Sequence, residues 1–214
     1  GQDSTGKTTQ INKLAAAIRR EISAEKKDRR ANPGHFTEVV LINEGAEVDS
    51  GLPATDQIDV ILHTKNFELD PLTNVLLFTA QRRELWTKVA EPVLKRGGVV
   101  LSSRNWFSTL AYQHFGSGIS RQLIEEITRD TMPDRYLHPD LAAILVLTEA
   151  ERVRRITARN NRSADDALEG QKSDFQARVN RGYEQLAVDF QLPMIETSGT
   201  IDEVFKKICD ELHL

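Results

Sequence analysis

The chain has 214 residues, a formal net charge of −4, 39% hydrophobic residues and one cysteine. That length suits one domain with a substantial core, and the mild acidity leaves no footprint for bulk nucleic acid or an anionic membrane surface. A lone cysteine excludes an internal disulfide framework, no apolar run reaches membrane-spanning length, and no signal peptide is evident, so the cytoplasm is the expected compartment.

The first nine residues, Gly1-Gln2-Asp3-Ser4-Thr5-Gly6-Lys7-Thr8-Thr9, fit G-x-x-x-x-G-K-[ST], the phosphate-binding P-loop. The glycines let consecutive backbone N–H groups turn inward around phosphate oxygens, Lys7 reaches the β/γ-phosphates, and the Thr8 hydroxyl is a ligand for Mg2+. Gly1, Asp3, Ser4, Thr5, Gly6, Lys7, Thr8 and Thr9 are therefore the candidate ATP-binding residues. Ile11, Leu14, Ala15 and Ile18 follow at helical spacing, and the N-terminus of that helix favours negative charge. A P-loop normally follows a strand. None precedes Gly1 and there is no initiator Met, so the numbering is expected to begin inside a longer protein.

A charged stretch and the turn Asn32-Pro33-Gly34 lead to Val39-Val40-Leu41-Ile42, a continuous apolar run predicted as a buried strand. Asn43-Glu44-Gly45-Ala46-Glu47 lies past its C-terminal end, the edge where parallel α/β sheets bind ligands. Residues 54–65 read as helical. Asp70-Pro71 then signals a helix start, with Asp70 as N-cap and Pro71 at the first position. The long helix that follows should kink at Pro92 and end at Gly97-Gly98. Val99-Val100-Leu101-Ser102-Ser103 is a second buried strand leading into Arg104-Asn105-Trp106. Helices are predicted over 108–115 and 122–128, Asp134-Arg135 reads as a surface turn, and 141–147 is the most hydrophobic strand candidate. An arginine-dense helix over 149–160 precedes a polar stretch, a helix over 173–190, and a short strand at Pro193-Met194-Ile195. Thr200-x-x-Glu203 forms a capping box before a last amphipathic helix, whose apolar face carries Cys209 as a core residue. Alternating strands and helices imply an α/β fold with a parallel sheet.

Three features set this site apart from a generic P-loop. Arg104 leaves the end of a buried strand where a second phosphate would sit, and its planar fork suits bidentate contact. Phe78 and Arg82 are four apart on one helix, so an aromatic plate and a donor address one ligand. Arg152, Arg154, Arg155, Arg159 and Arg162 precede and enter the polar stretch; the first two read as solvated helix charges.

The runs Leu69-Asp70-Pro71-Leu72-Thr73, Leu77-Phe78-Thr79-Ala80-Gln81-Arg82, and Arg104-Asn105-Trp106 through Ser108, Ala111, Tyr112 and Gln113 resemble the thymidylate kinase family. So do Pro139-Asp140-Leu141 and Phe175 through Ala187 with Arg178, Val179, Gly182 and Tyr183. The resemblance spans nearly the whole chain in order. It implies a P-loop kinase fold, a five-stranded parallel sheet flanked by helices, in a single domain over 1–214 with a helical lid at about 149–172. It implies ATP-dependent phosphorylation of a deoxynucleoside monophosphate, dTMP first, with Mg2+, in a homodimer that binds neither nucleic-acid polymer nor membrane. By the same likeness Phe78 stacks on the acceptor base, Arg82 bonds its carbonyl and Arg104 holds its phosphate. Tyr112 crowds the sugar 2′ position, with Ser108 and Gln113 nearby, and Asp3 and Glu44 also face the acceptor. The P-loop lacks an arginine while the lid has several, which resembles bacterial-type members; Arg155 and Arg159 then join Lys7 and Arg104 as catalytic residues.

Two positions depart from the family pattern. Its aspartate before the strand-end arginine is Ser103 here, a poorer partner for hydrated Mg2+, and its R-E-P-G-G run is Asn43-Glu44-Gly45-Ala46-Glu47. Glu44 or Glu47 for the metal, and Lys65 for the arginine, are the available substitutes. These departures leave open a kinase with a different nucleotide or nucleoside acceptor, or a weakly catalytic nucleotide-binding paralogue.

Overall fold

The computed structural model describes residues 1, 4–27, 36–42, 51–64, 68–160 and 170–214. They form two compact units, one of residues Gly1–Lys7 with Trp106–Leu214 and one of Thr8–Asn105.

The Thr8–Asn105 unit holds most of helix α1 (Lys7–Lys27), strand β1 (Val39–Ile42), and helices α2 (Pro53–His63), α3 (Pro71–Leu85) and α4 (Glu91–Lys95), and ends with strand β2 (Val99–Ser102). The two strands pair in parallel with Val39 opposite Val99, and a core of Ile42, Leu85 and Ala90 packs with Leu52, Trp86 and Val100. Asp70 caps α3 as its sequence requires: its Oδ1 accepts from the Leu72 and Thr73 amides at 2.8 and 3.4 Å. A buried polar clasp joins α2 to α3, in which Gln81 Nε2 donates to Asp59 Oδ1 at 3.1 Å and to the Thr55 carbonyl at 3.3 Å.

At Pro92 the expected kink takes another form. Residues Trp86–Ala90 wind as a π segment, π1, in which the Glu91 amide reaches back to the Trp86 carbonyl. A proline lacks its own amide and its ring crowds the carbonyl four residues earlier; a widened turn relieves both conflicts while the axis continues into α4. That helix closes on Gly97, whose amide bonds Leu94 O at 3.1 Å while Gly98 N bonds Val93 O at 2.9 Å. The left-handed φ of +77° at Gly97 makes this pairing possible.

The other unit carries helix α5 (Trp106–Thr109), a second π segment, π2 (Leu110–Gly116), and helices α6 (Arg121–Thr131), α7 (Asp134–Leu137), α8 (Glu149–Asn160), α9 (Gly170–Asp189) and α10 (Ile201–Leu212). Strands β3 (Ile144–Val146) and β4 (Met194–Glu196) pair in parallel, and Leu145, Ile195, Val204 and Ile208 form the core beneath them. The predicted 141–147 strand is thus shortened, with Leu141 54% exposed. Its partner explains this: Ile144 N bonds the Pro193 carbonyl, but Pro193 has no amide to extend the ladder. The predicted helix over 108–115 is helical but π-wound from Leu110. The turn expected at Asp134-Arg135 is instead the start of α7, held by Pro133 at its N-cap and by half-buried Tyr136 and Leu137. The capping box at Thr200 and Glu203 forms as predicted, whereas Cys209 is half-buried rather than core. Among the described residues no helix is long and apolar enough to cross a membrane.

Candidate active site

The P-loop backbone is left-handed at Ser4 (φ 64°) and Gly6 (φ 82°) and runs directly into α1 at Lys7. Left-handed residues in a turn aim amide N–H groups into one concavity, and the positive end of a 21-residue helix adds to its attraction for phosphate. Only glycine takes φ 82° without a Cβ penalty. A Cβ at Gly1 would collide with the Leu145 carbonyl, which explains the glycine that opens the motif. Thr8 is exposed on the first turn of α1. Mg2+ dehydrates reluctantly and takes one or two protein ligands beside nucleotide phosphates, a demand that a hydroxyl such as that of Thr8 suits chemically.

The expected site residues divide between the two units. Gly1, Ser4, Thr5, Gly6, Lys7, Ser108, Tyr112, Gln113, Arg155 and Arg159 belong to the first; Thr8, Thr9, Phe78, Arg82 and Arg104 belong to the second. Asp3, Asn43, Glu44, Glu47, Lys65 and Arg162 lie outside the described residues, as does the side chain of Arg159.

Arg155 is brought to the P-loop. Its Nη1 donates to the Ser4 carbonyl at 3.3 Å, its Nη2 to the Thr197 carbonyl at 2.5 Å, and its Nε to Glu151 Oε1 at 2.9 Å. Arg154 forks onto the same carboxylate at 2.7 and 2.8 Å. Arg154 first and Arg155 second hold the Glu151 carboxyl down at about 2, against an ordinary 4.5. Because the folded-state value is depressed, the stability this pair supplies is complete above pH 4.5 and is lost as pH falls toward about 2. A carboxyl NMR titration should place the Glu151 midpoint near about 2, and Arg155→Met should raise it; a midpoint already at 4.5 in the unchanged protein would show that the fork does not persist in solution.

Neither Glu151 nor Thr197 was singled out from the sequence. The spacing of Glu151 three and four residues before Arg154 and Arg155 is a readable helix ion-pair signal; Thr197, buried after β4, gave none. Arg152 corrects an expectation. It is 7% exposed rather than solvated, and grips Glu149 through Nε at 2.9 Å and Nη2 at 2.5 Å.

Phe78 and Arg82 do share a face of α3, with the guanidinium 5.4 Å from the ring centroid; Arg82 is buried and Phe78 half-buried. Arg104 leaves the end of β2, where Ser103 N extends the pairing to Ile42 O at 3.1 Å and Ser102 Oγ donates to the Arg104 carbonyl at 2.5 Å. On π2, Tyr112 is half-buried and Gln113 buried. Ser108 differs from a solvent-facing contact: its hydroxyl is buried and accepts from Tyr183 Oη at 3.1 Å.

Residues 47–208 match the family model for thymidylate kinase. The chain belongs to the thymidylate kinase family. A thymidylate kinase of Syntrophotalea carbinolica is 30% identical over 97% of this chain and 90% of that one. One from Lactobacillus delbrueckii subsp. bulgaricus is 32% identical over 87% of this chain and 79% of its own length. The crystal structure of the thymidylate kinase from Ehrlichia chaffeensis superposes with a TM-score of 0.70 at 24% identity, covering 97% of this chain and 92% of that chain. This likeness identifies the α/β P-loop kinase fold.

Proposed function

We propose that this chain transfers the γ-phosphoryl group of ATP to dTMP, giving dTDP and ADP. The observation that carries the reading is a P-loop left-handed at Ser4 and Gly6, at the head of a thymidylate kinase family chain. Phosphoryl transfer asks a protein mainly for positioning and for charge around the moving group. In this reading the loop amides and Lys7 hold the β- and γ-phosphates, and the Thr8 hydroxyl would hold Mg2+, which would supply positive charge against the phosphates when bound. Phe78 stacks on thymine, Arg82 bonds a base carbonyl and Arg104 holds the acceptor phosphate. Ser108, Tyr112 and Gln113 frame the sugar side with Asp3 and Glu44, while Arg155 and Arg159 bring charge from a lid at about 149–172 of the 1–214 domain.

The parallel pairing of β1 with β2 and of β3 with β4 supports a five-stranded sheet of the kinase fold. We assign the protein to the cytoplasm, as a homodimer. Val60 and Leu76, 65% and 51% exposed on α2 and α3, supply apolar surface for that association; a sedimentation mass of one chain would overturn it.

The test is ADP release with ATP, Mg2+ and a panel of nucleoside monophosphates and nucleosides. Turnover should depend on dTMP and exceed that with every ribonucleotide; acceptor-dependent turnover absent with both dTMP and dUMP would sink the proposal. Ser103 and Asn43 favour a second reading, a different acceptor, which the same panel decides.

A further inference from the structure

Helix α9 and segment π2 approach through reciprocal glycines. A Cβ on Gly116 of π2 would stand 2.6 Å from the Phe175 ring of α9, and one on Gly182 of α9 would stand 2.7 Å from the Phe115 ring of π2. The close approach places the Tyr112 ring between two α9 aromatics, with centroids 6.2 Å from Phe175 and 6.4 Å from Tyr183.

Both ends of this stretch are held from α9. At the far end, Arg178 donates through Nε at 3.1 Å and Nη2 at 2.8 Å to the Gly116 carbonyl, a group that helix geometry leaves without an intrahelical donor. The Arg178 guanidinium also lies 5.9 Å from the Phe175 ring centroid. At the near end, the fully buried Tyr183 donates its hydroxyl to Ser108 at 3.1 Å. The exit turn closes on itself, with Gly118 N on His114 O at 2.8 Å, Ile119 N on Gln113 O at 2.9 Å, and His114 Nδ1 and Ile119 O at 2.7 Å. Seven π-wound residues are a poor structure in isolation and persist where tertiary contacts over-determine them.

We propose that Arg178 and Tyr183 are positioning residues for the phosphoryl acceptor. They hold π2 in its wide winding, and that winding directs Tyr112 and Gln113 at the acceptor sugar. The inference rests on the dTMP kinase reading above. Arg178 is exposed overall, so its replacement removes the clamp without opening the core.

The experiment compares the unchanged protein with Arg178→Met, Arg178→Lys and Tyr183→Phe. It measures KM for dTMP and for ATP, kcat, the preference for dTMP over its 2′-hydroxyl counterpart (5-methyluridine monophosphate), and the melting temperature. Arg178→Met should raise KM for dTMP by roughly five- to fifty-fold, as a misplaced positioning group does. The KM for ATP should not move, the deoxy-over-ribo preference should narrow, Arg178→Lys should recover part of the loss through its one ammonium nitrogen, and Tyr183→Phe should act in the same direction. Unchanged dTMP KM and sugar preference, or a loss of dTMP and ATP parameters together that tracks the melting temperature, would overturn the proposal.

Calorimetry of dTMP binding to the same proteins reads the clamp without turnover. Weaker binding in Arg178→Met would uphold it even if the unchanged enzyme bound dTMP without phosphorylating it, which would refute only the kinase reading. No dTMP binding by the unchanged protein would overturn both.

Discussion

Lys7→Ala is expected to lower kcat for dTMP phosphorylation by about 10²–10³-fold, the usual cost of removing one preorganised group aimed at developing charge. Lys7 is the first residue of α1, directly after left-handed Gly6, so its ammonium starts from the point where loop amides and helix dipole converge. Those amides carry partial charge; Lys7 adds a full one, and on a flexible stem it can follow the γ-phosphoryl group toward the acceptor. Alanine is the best helix former, so α1 should survive the change. Circular dichroism and the melting temperature should therefore match the unchanged protein while turnover collapses. Lys7→Arg should not restore it, because a planar fork is longer and wider than the compact ammonium. A loss of less than tenfold at saturating substrates would remove Lys7 from the charge-bearing role.

Leu110→Ala should be the most damaging of the conservative core truncations, costing about 2–5 kcal/mol. In a chain of this size that lowers the melting temperature by roughly 4–20 °C. Leu110 opens π2 and is fully buried together with Ala111. The neighbouring α5 residues are pinned by an aromatic cluster, with Trp106, Phe107 and Phe190 centroids 4.8–5.3 Å apart. A hole at Leu110 therefore has rigid surroundings that relax poorly, which is the condition for the high end of the cavity cost. Scanning calorimetry checks it. A shift below 2 °C would mean that the segment collapses around the shortened side chain. Since Tyr112 and Gln113 follow on the same segment, dTMP binding should weaken along with stability, in contrast to Arg178→Met.

Several local features of the candidate site are legible in the sequence. The P-loop, the Phe78–Arg82 register and Arg104 at a strand end each depend on residues within a few positions of one another. Other parts of the site depend on distant residues. Arg155 reaches the Ser4 carbonyl across 151 positions, and Ser108 receives the Tyr183 hydroxyl across 75. No local pattern announces either contact. Arg152 reads in the sequence as one more solvated helix charge, yet its side chain is buried while it grips the half-exposed Glu149.

By itself the sequence determined the features that local physics controls. Asp70-Pro71 starts α3, Thr200 and Glu203 cap α10, Gly97-Gly98 closes α4, and Gly6 turns the phosphate loop, because each rests on one side chain, one missing amide or one permitted φ. Tertiary structure alone decided the winding and the ends of elements. Pro193 limits β3 from across a strand pair, and α9 accompanies π2 through facing glycines and aromatics. A run of π turns is unfavourable locally, so it forms only where packing partners far along the chain hold it.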